Sequence, residues 1–324
     1  MGAQIVSTGS YLPDRVVRNG DLAQFPAAAV SLIAEKTGVC QRRRAAPEQC
    51  TSDLGARAAV CCLEKVGFPP SRVEAIILST SSPDRIQPAT ATRVQNKIGA
   101  HRAFAFDINS VCSGSVYGIF LSDCLIRSGQ CENVLFIAAE LYSRFLNEKD
   151  FSTYPYFGDG AGAVLFRGGD GKRGVIASCL STDGKGCDAI HVPAGGTMMP
   201  IQTLEDPSAA YFRMNGKAVF AFAVDKGTRI IRELSGKSGI KVSQIDRFVL
   251  HQANINIIRD IARNLELDEE RFHLNLSRYG NTASASVPIA LDEALFEEKV
   301  LPGNLVATVA FGGGLSWGAN LIRF

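Results

Sequence analysis

The chain repeats itself. VEAIILSTSS begins at Val73 and IDRFVLHQAN at Ile245, an interval of 245 − 73 = 172 residues. ENVLFIAAE carries its Asn at 133 and GNLVATVAFG at 304, an interval of 304 − 133 = 171. Between these segments a small-residue turn, VCSGS in the first half and NTASAS in the second, opens a helix that leads into the second strand. A strand, turn, helix and strand recurring at one interval confine the chain to two similar α/β halves, 1–170 and 171–324. Chance likeness between short apolar strands is the competing explanation. No Pro- or Ser-rich linker separates the halves, so they are expected to pack against each other and share a core.

The local patterns agree with an α/β chain. Ala75–Leu78 and Asn133–Ile137 are near-continuous apolar runs, as strands covered on both faces require. Residues 114–128 place Val116, Ile119, Phe120 and Leu125 at helical spacing. In the second half Phe248–Leu250 and Leu305–Val309 read as strands, and 284–297 as a helix. With 46% hydrophobic and 20% charged residues over 324 positions, the composition is that of a globular protein and excludes a disordered one. A net charge of +2 provides no electrostatic case for a nucleic-acid or anionic-membrane partner. No apolar run approaches the ~18 residues of a membrane span. The N-terminus lacks the charged and apolar regions of a signal peptide, and Val6 stands where a myristoylation motif needs Ser or Thr. Nine scattered cysteines, an odd number with no C-x2-C pair, point to free thiols in a reducing, cytoplasmic compartment and against a metal centre.

Three side chains stand out. Cys112 lies in a turn between the apolar segment AFAFDI and a helix starting near Gly114, where a helix N-terminus favours the thiolate. His251 follows the strand Arg247–Leu250, at the strand end where α/β folds place ligand chemistry. Asn281 lies in a second small-residue turn, in a place nearly equivalent to that of Cys112 by the repeat. Each has a structural alternative: a small buried thiol, a satisfied histidine, a helix N-cap. If the halves pack as the repeat implies, all three meet near the pseudo-twofold axis. The run Phe311-Gly312-Gly313-Gly314 then offers a turn whose N–H groups can face an oxyanion. Cys, His and Asn also serve papain-like thiol hydrolases, but Cys112 lacks the Cys-Gly-x-Cys-Trp flank of those enzymes.

VCSGS at Cys112, HQAN at 251–254, GNTASAS at 280–286, FGDGAGA at 157–163 and FGGGLSWG at 311–318 together resemble the β-ketoacyl-acyl-carrier-protein synthase III family. The likeness runs from STGSYLP at 7–13 to the C-terminus. It implies a thiolase-like fold of five layers, α-β-α-β-α, and a homodimer needing no metal or redox cofactor. It implies acyl transfer onto Cys112 from an acyl-CoA or acyl-carrier-protein thioester, then decarboxylative condensation with malonyl-acyl-carrier protein. The backbone N–H groups of Cys112 and Gly313 become the oxyanion hole, His251 and Asn281 the donors to the malonyl thioester carbonyl, and Phe311 a gate. Leu32, Lys36, Gln87, Phe151, Tyr156, Met214, Gly216, Phe220 and Asn254 fall at substrate-binding positions. Two rival functions are acyl transfer from Cys112 to an oxygen or nitrogen nucleophile, and a non-catalytic binding subunit.

The departures from the family concern substrate choice. Members using acetyl-CoA carry Thr-Ser-Asp-Glu-Trp before an Arg-Thr-Gly turn, and that Trp stacks on the adenine. Here Ala28-Ala29-Val30-Ser31-Leu32 precedes Lys36-Thr37-Gly38. The Arg on the other side of the adenine is matched by Phe151, and the Phe that limits acyl length across the dimer by Gln87. Two basic carrier-protein positions are matched by Ala221 and Asn256, with Arg263 close in sequence. Two expectations follow: a non-acetyl donor in a specialised pathway, or a divergent housekeeping enzyme that holds CoA by its pantetheine arm alone.

Overall fold

A computed structural model describes residues 2–169 and 171–324. The expected boundary at residue 170 falls on a position outside the described residues. In chain order the elements are β1 (Ala3–Tyr11), β2 (Arg15–Arg18), α1 (Ala27–Thr37), β3 (Gln41–Arg44), α2 (Thr51–Glu64), β4 (Ala75–Ser79), α3 (Thr90–Ile98), β5 (Phe104–Ile108), α4 (Gly114–Arg127), β6 (Asn133–Glu140) and β7 (Gly160–Gly168). There follow β8 (Gly174–Thr182), β9 (Ile190–His191), β10 (Arg213–Met214), α5 (Gly216–Ser238), β11 (Arg247–Leu250), α6 (Ile255–Asn264), α7 (Leu276–Tyr279), α8 (Ser286–Phe296), β12 (Leu305–Gly312) and β13 (Ser316–Arg323).

Among the described residues, the main strands form a five-stranded sheet, β1-β7-β6-β4-β5, and a four-stranded sheet, β11-β12-β13-β8. Both contain a parallel pair (β4 with β6, β11 with β12), continued by antiparallel strands on the side of β6 and β12. α4 and α8 lie between the sheets, α2 and α3 cover the outer face of the first, and α5 with α6 covers the second. Five layers result. The sandwiched helices explain their sequences: α8 buries Val287, Pro288, Ile289, Ala290 and Leu291 in succession, because both faces meet a sheet. By contrast α6 has core on one side only, and buries Ile257, Ile258, Ile261 and Ala262 at helical spacing.

The interval between the equivalent elements that flank the three side chains is 172. β4 and β11 begin at Ala75 and Arg247, 247 − 75 = 172, and the paired residues Ala75–Val134 and Arg247–Val306 keep that spacing. The turns Val111–Ser113 and Ala283–Ala285, and the helices α4 and α8, follow the same interval. The residue equivalent to Cys112 is therefore Ser284. The expected equivalence with Asn281 is displaced: Asn281 answers to Asn109. The match to β5 in the second half shrinks to one bridge between Phe248 and Phe272.

Candidate active site

Cys112 sits on the turn Val111–Ser113, directly before α4. Val111 adopts φ 47°, and its counterpart Ala283 adopts φ 48°. Left-handed backbone in a residue with a Cβ costs about 1–3 kcal/mol and persists only where neighbours enforce it. Both turns use an Asn to do so: the Val111 N–H donates to Asn109 Oδ1 (3.3 Å), and the Ala283 N–H to Asn281 Oδ1 (2.8 Å). With Oδ1 committed, the Asn281 amide has its Nδ2–H groups left to donate. Its backbone is fixed to the 156–158 segment through Asn281 N–H to Tyr156 O (2.8 Å) and Gly158 N–H to Asn281 O (2.9 Å). Asn281 is therefore no N-cap of α8.

His251 is 2% exposed, and its backbone N–H extends the β11–β12 ladder to Val309 O (2.8 Å). Its Nδ1 lies 2.7 Å from Ser286 Oγ. That oxygen already accepts the Gln252 N–H (3.3 Å), so its own proton is free for Nδ1, which leaves the imidazole proton on Nε2. Burial pushes the His251 pKa down to about 3, only partly opposed by the nearby Ala283 carbonyl. The ring is thus neutral at ordinary pH. Phe311 meets it edge-on at 5.6 Å.

Ala283 is where these parts join: Cys112 packs in the same buried cluster as Ala283, Asn281 bonds its N–H, and His251 faces its carbonyl. Gly312 completes the contact, since a Cβ there would fall 2.8 Å from the Cys112 nitrogen. The expected glycine turn is shorter than predicted. Phe311 and Gly312 continue β12, opposite Trp317 and Ser316, and only Gly313–Leu315 turn. Gly313 itself lies against Val111, the neighbour of Cys112. Burial also overturns the expected thiolate: Cys112 is 6% exposed, and desolvation, reinforced by Glu140, pushes its thiol up from the ordinary value. The dipole of the following helix does not offset that loss of water.

The remaining predicted positions divide. Tyr156 and Met214 pack in the apolar cluster around Cys112, with Tyr142, Phe157 and Phe212 as its aromatic centre. Tyr142 stacks on Phe157 at 5.1 Å and meets Phe212 edge-on at 5.4 Å. Phe151 meets Phe25 at 5.1 Å and Tyr156 at 6.2 Å, both edge-on. Leu32 and Lys36 are exposed on α1, and Lys36 pairs with Glu35. Asn254 caps α6 by accepting the Asn256 N–H (2.8 Å). Gly216 opens α5 at the surface, and Phe220 follows one turn on, half-buried against the outer core of the second sheet. Gln87 lies on an exposed loop. Ser286, Gly312 and Tyr142 were not singled out from sequence; only the first two had a signal, in falling within the small-residue turns. Among the described residues no group of three or more His, Cys, Asp or Glu is placed to hold a metal ion.

Comparison with known proteins shows the family. Residues 106–184 match 3-oxoacyl-[acyl-carrier-protein (ACP)] synthase III, and 236–324 match its C-terminal family. The β-ketoacyl-[acyl-carrier-protein] synthase III of Acidiphilium cryptum is 42% identical, over 98% of this chain and 97% of that one. The 3-oxoacyl-[acyl-carrier-protein] synthase III structure from Aquifex aeolicus superposes with a TM-score of 0.92 at 36% identity, covering 100% of both chains. The priming β-ketosynthase of the R1128 polyketide biosynthetic pathway gives 0.93 at 29% identity, covering 100% of this chain and 96% of that one. The fold is thiolase-like, and the chain belongs to the 3-oxoacyl-[acyl-carrier-protein] synthase III family.

Proposed function

We propose that this protein is a condensing acyltransferase in which Cys112 carries the acyl group and His251 with Asn281 stabilises the malonyl enolate. The observation that carries this reading is the grouping of the thiol and two neutral donors around one strained residue, Ala283. In the first half-reaction Cys112 Sγ attacks the acyl thioester carbonyl. The N–H groups of Cys112 and Gly313 hold the oxyanion, the old C–S bond breaks, and the Cys112 proton leaves on the departing thiol. A buried, protonated resting thiol suits this exchange, since charge appears only as the substrate arrives.

In the second half-reaction the malonyl thioester carbonyl accepts hydrogen bonds from His251 Nε2–H and Asn281 Nδ2–H. Carbon dioxide leaves, and the electron pair of its bond becomes the enolate. The enolate carbon attacks the acyl-Cys112 carbonyl, a C–C bond forms, the Cys112 C–S bond breaks, and the released thiolate takes a proton from solvent to restore the resting thiol. Neutral donors strengthen their bonds as the enolate charge grows, so they lower the barrier instead of merely tightening binding. Simple acyl transfer would have no use for them. No step needs a metal or a redox cofactor.

Several features favour a donor other than acetyl-CoA. Phe151 is committed edge-on to Phe25 and Tyr156, and Leu32 offers no ring, so neither supplies a flat partner for adenine. The priming role named for the R1128 relative is compatible with a specialised acyl chain, carried on pantetheine by CoA or a carrier protein. β5 leaves an unpaired edge, with Phe104 exposed and stacked over Phe106, which supports a homodimer built on that edge. Nine free cysteines support a reducing, cytoplasmic location. Intact-protein mass after incubation with a panel of acyl thioesters tests the reading. A mass increment absent from Cys112→Ala is expected; no increment with any donor overturns the function, and acetyl-CoA as the best donor overturns the specialised chain.

A further inference from the structure

A buried carboxyl group with no part in the two half-reactions lies beside the site. Glu140 ends β6 with 0% exposure. It receives the Ser81 N–H at 3.2 Å, Ser81 Oγ at 3.1 Å, Ser82 Oγ at 2.6 Å and Thr80 Oγ1 at 3.4 Å from the first half. From the second half it receives Ser284 Oγ at 2.7 Å. By the 172-residue interval, Glu140 is equivalent to Gly312, Ser284 to Cys112 and Ser79 to His251. Where one side of the pseudo-twofold holds a thiol against glycine, the other holds a hydroxyl bonded to a carboxyl. It has no room for more: a Cβ on Gly114, the equivalent of Ser286, would fall 1.9 Å from Ser79 Oγ.

Ser284 follows Ala283 directly. Its bond to Glu140 therefore anchors the strained residue whose N–H is held by Asn281 and whose carbonyl faces His251. The nucleophile turn is anchored elsewhere, through Ser113 Oγ to Ser316 Oγ at 2.6 Å and to Ser110 O at 2.7 Å. Two turns of one shape thus hang from different supports. We propose that Glu140, acting through Ser284, is a positioning residue for the malonyl half-reaction: it holds the turn that aims Asn281 and His251, while the turn of Cys112 has its own anchor at Ser316. This rests on the condensing-enzyme reading above.

Ser284→Ala removes the anchor and leaves Glu140 its other donors, so folding should survive. Misplaced donors should slow carbon dioxide release from malonyl thioester about tenfold, with KM little changed, and leave acyl-Cys112 formation within about twofold. Glu140→Ala should reproduce the loss of decarboxylation and add little to that loss in the double variant, because both cut one link; Glu140 also raises the Cys112 thiol, so acylation is judged in Ser284→Ala. Glu140→Gln should restore decarboxylation, since its amide can still bond Ser284 while its oxygen accepts the Ser81 N–H. Parallel loss of both half-reactions in Ser284→Ala, or full additivity of the two alanine variants, would overturn the proposal. Failure of the unaltered protein to release carbon dioxide from any malonyl thioester, with acyl-Cys112 formed or not, would instead overturn the function on which it rests.

Discussion

Ala283 and Val111 show how single residues shape this site. A methyl and an isopropyl side chain sit at φ 48° and 47°, a region that favours glycine, because an Asn two residues upstream binds each N–H. Neither conformation is legible in the letters VCS or ASA, since left-handed backbone at Val and Ala is enforced by neighbours rather than by propensity. The thiol misled for a related reason: its helix is visible in sequence, its burial is not. His251 carries a testable consequence. Its ordinary pKa of 6.5 falls to about 3 in the fold. Above pH 6.5 the ring is neutral folded or unfolded and contributes no pH dependence. As pH falls from 6.5 toward 3, the unfolded chain takes up a proton that the folded chain refuses, so stability declines on acidification. Malonyl decarboxylation, followed as carbon dioxide release against pH, should show no histidine step between about pH 5 and 8. A break near 6.5 in that profile would contradict the neutral-donor assignment.

At the scale of elements, the strands and helices flanking the site were readable because their burial is extreme. β4, β6, α4 and α8 have core on both faces, and their apolar runs say so. The end of β12 was not readable. Glycines suggested a turn from 311, yet β13 returns within three residues and pairs with Phe311 and Gly312, extending the strand. That extension brings Gly312 against the nucleophile, 2.8 Å from Cys112 N to an added Cβ. Gly312→Ala should therefore displace Cys112 and slow its acylation by about 10²-fold with the fold retained, as displacements of about an ångström do. Rates of adduct formation by intact mass, with thermal melting as the control for folding, decide it; acylation at the unaltered rate would refute the contact.

The whole molecule is a pseudo-symmetric pair of sheets with one site, because the equivalent place on the other side is filled by Ser284, Ser79 and Glu140. Its first sheet also ends on an open edge. Among the described residues β5 pairs only with β4, and Phe104 remains 50% exposed beside it. Such an edge is a template for another strand. Phe104→Lys should convert a dimer to monomer in light scattering, and should lower activity if the Gln87 loop of one protomer borders the acyl site of the other. A wild-type monomer would overturn the homodimer, and a variant that stays dimeric would place the interface elsewhere.

Legible along the linear chain were the α/β class, the two-part repeat, and Cys112, His251 and Asn281 with their small-residue turns. These depend on local periodicity and on residue types that few other roles demand. The pairing of Cys112 with Ser284 instead of Asn281, the upward shift of the buried thiol and the Glu140 anchor came only from the folded chain. They depend on which residues meet across two halves and on how much water each loses there, and contacts between positions more than a hundred residues apart leave no mark on the segments that make them.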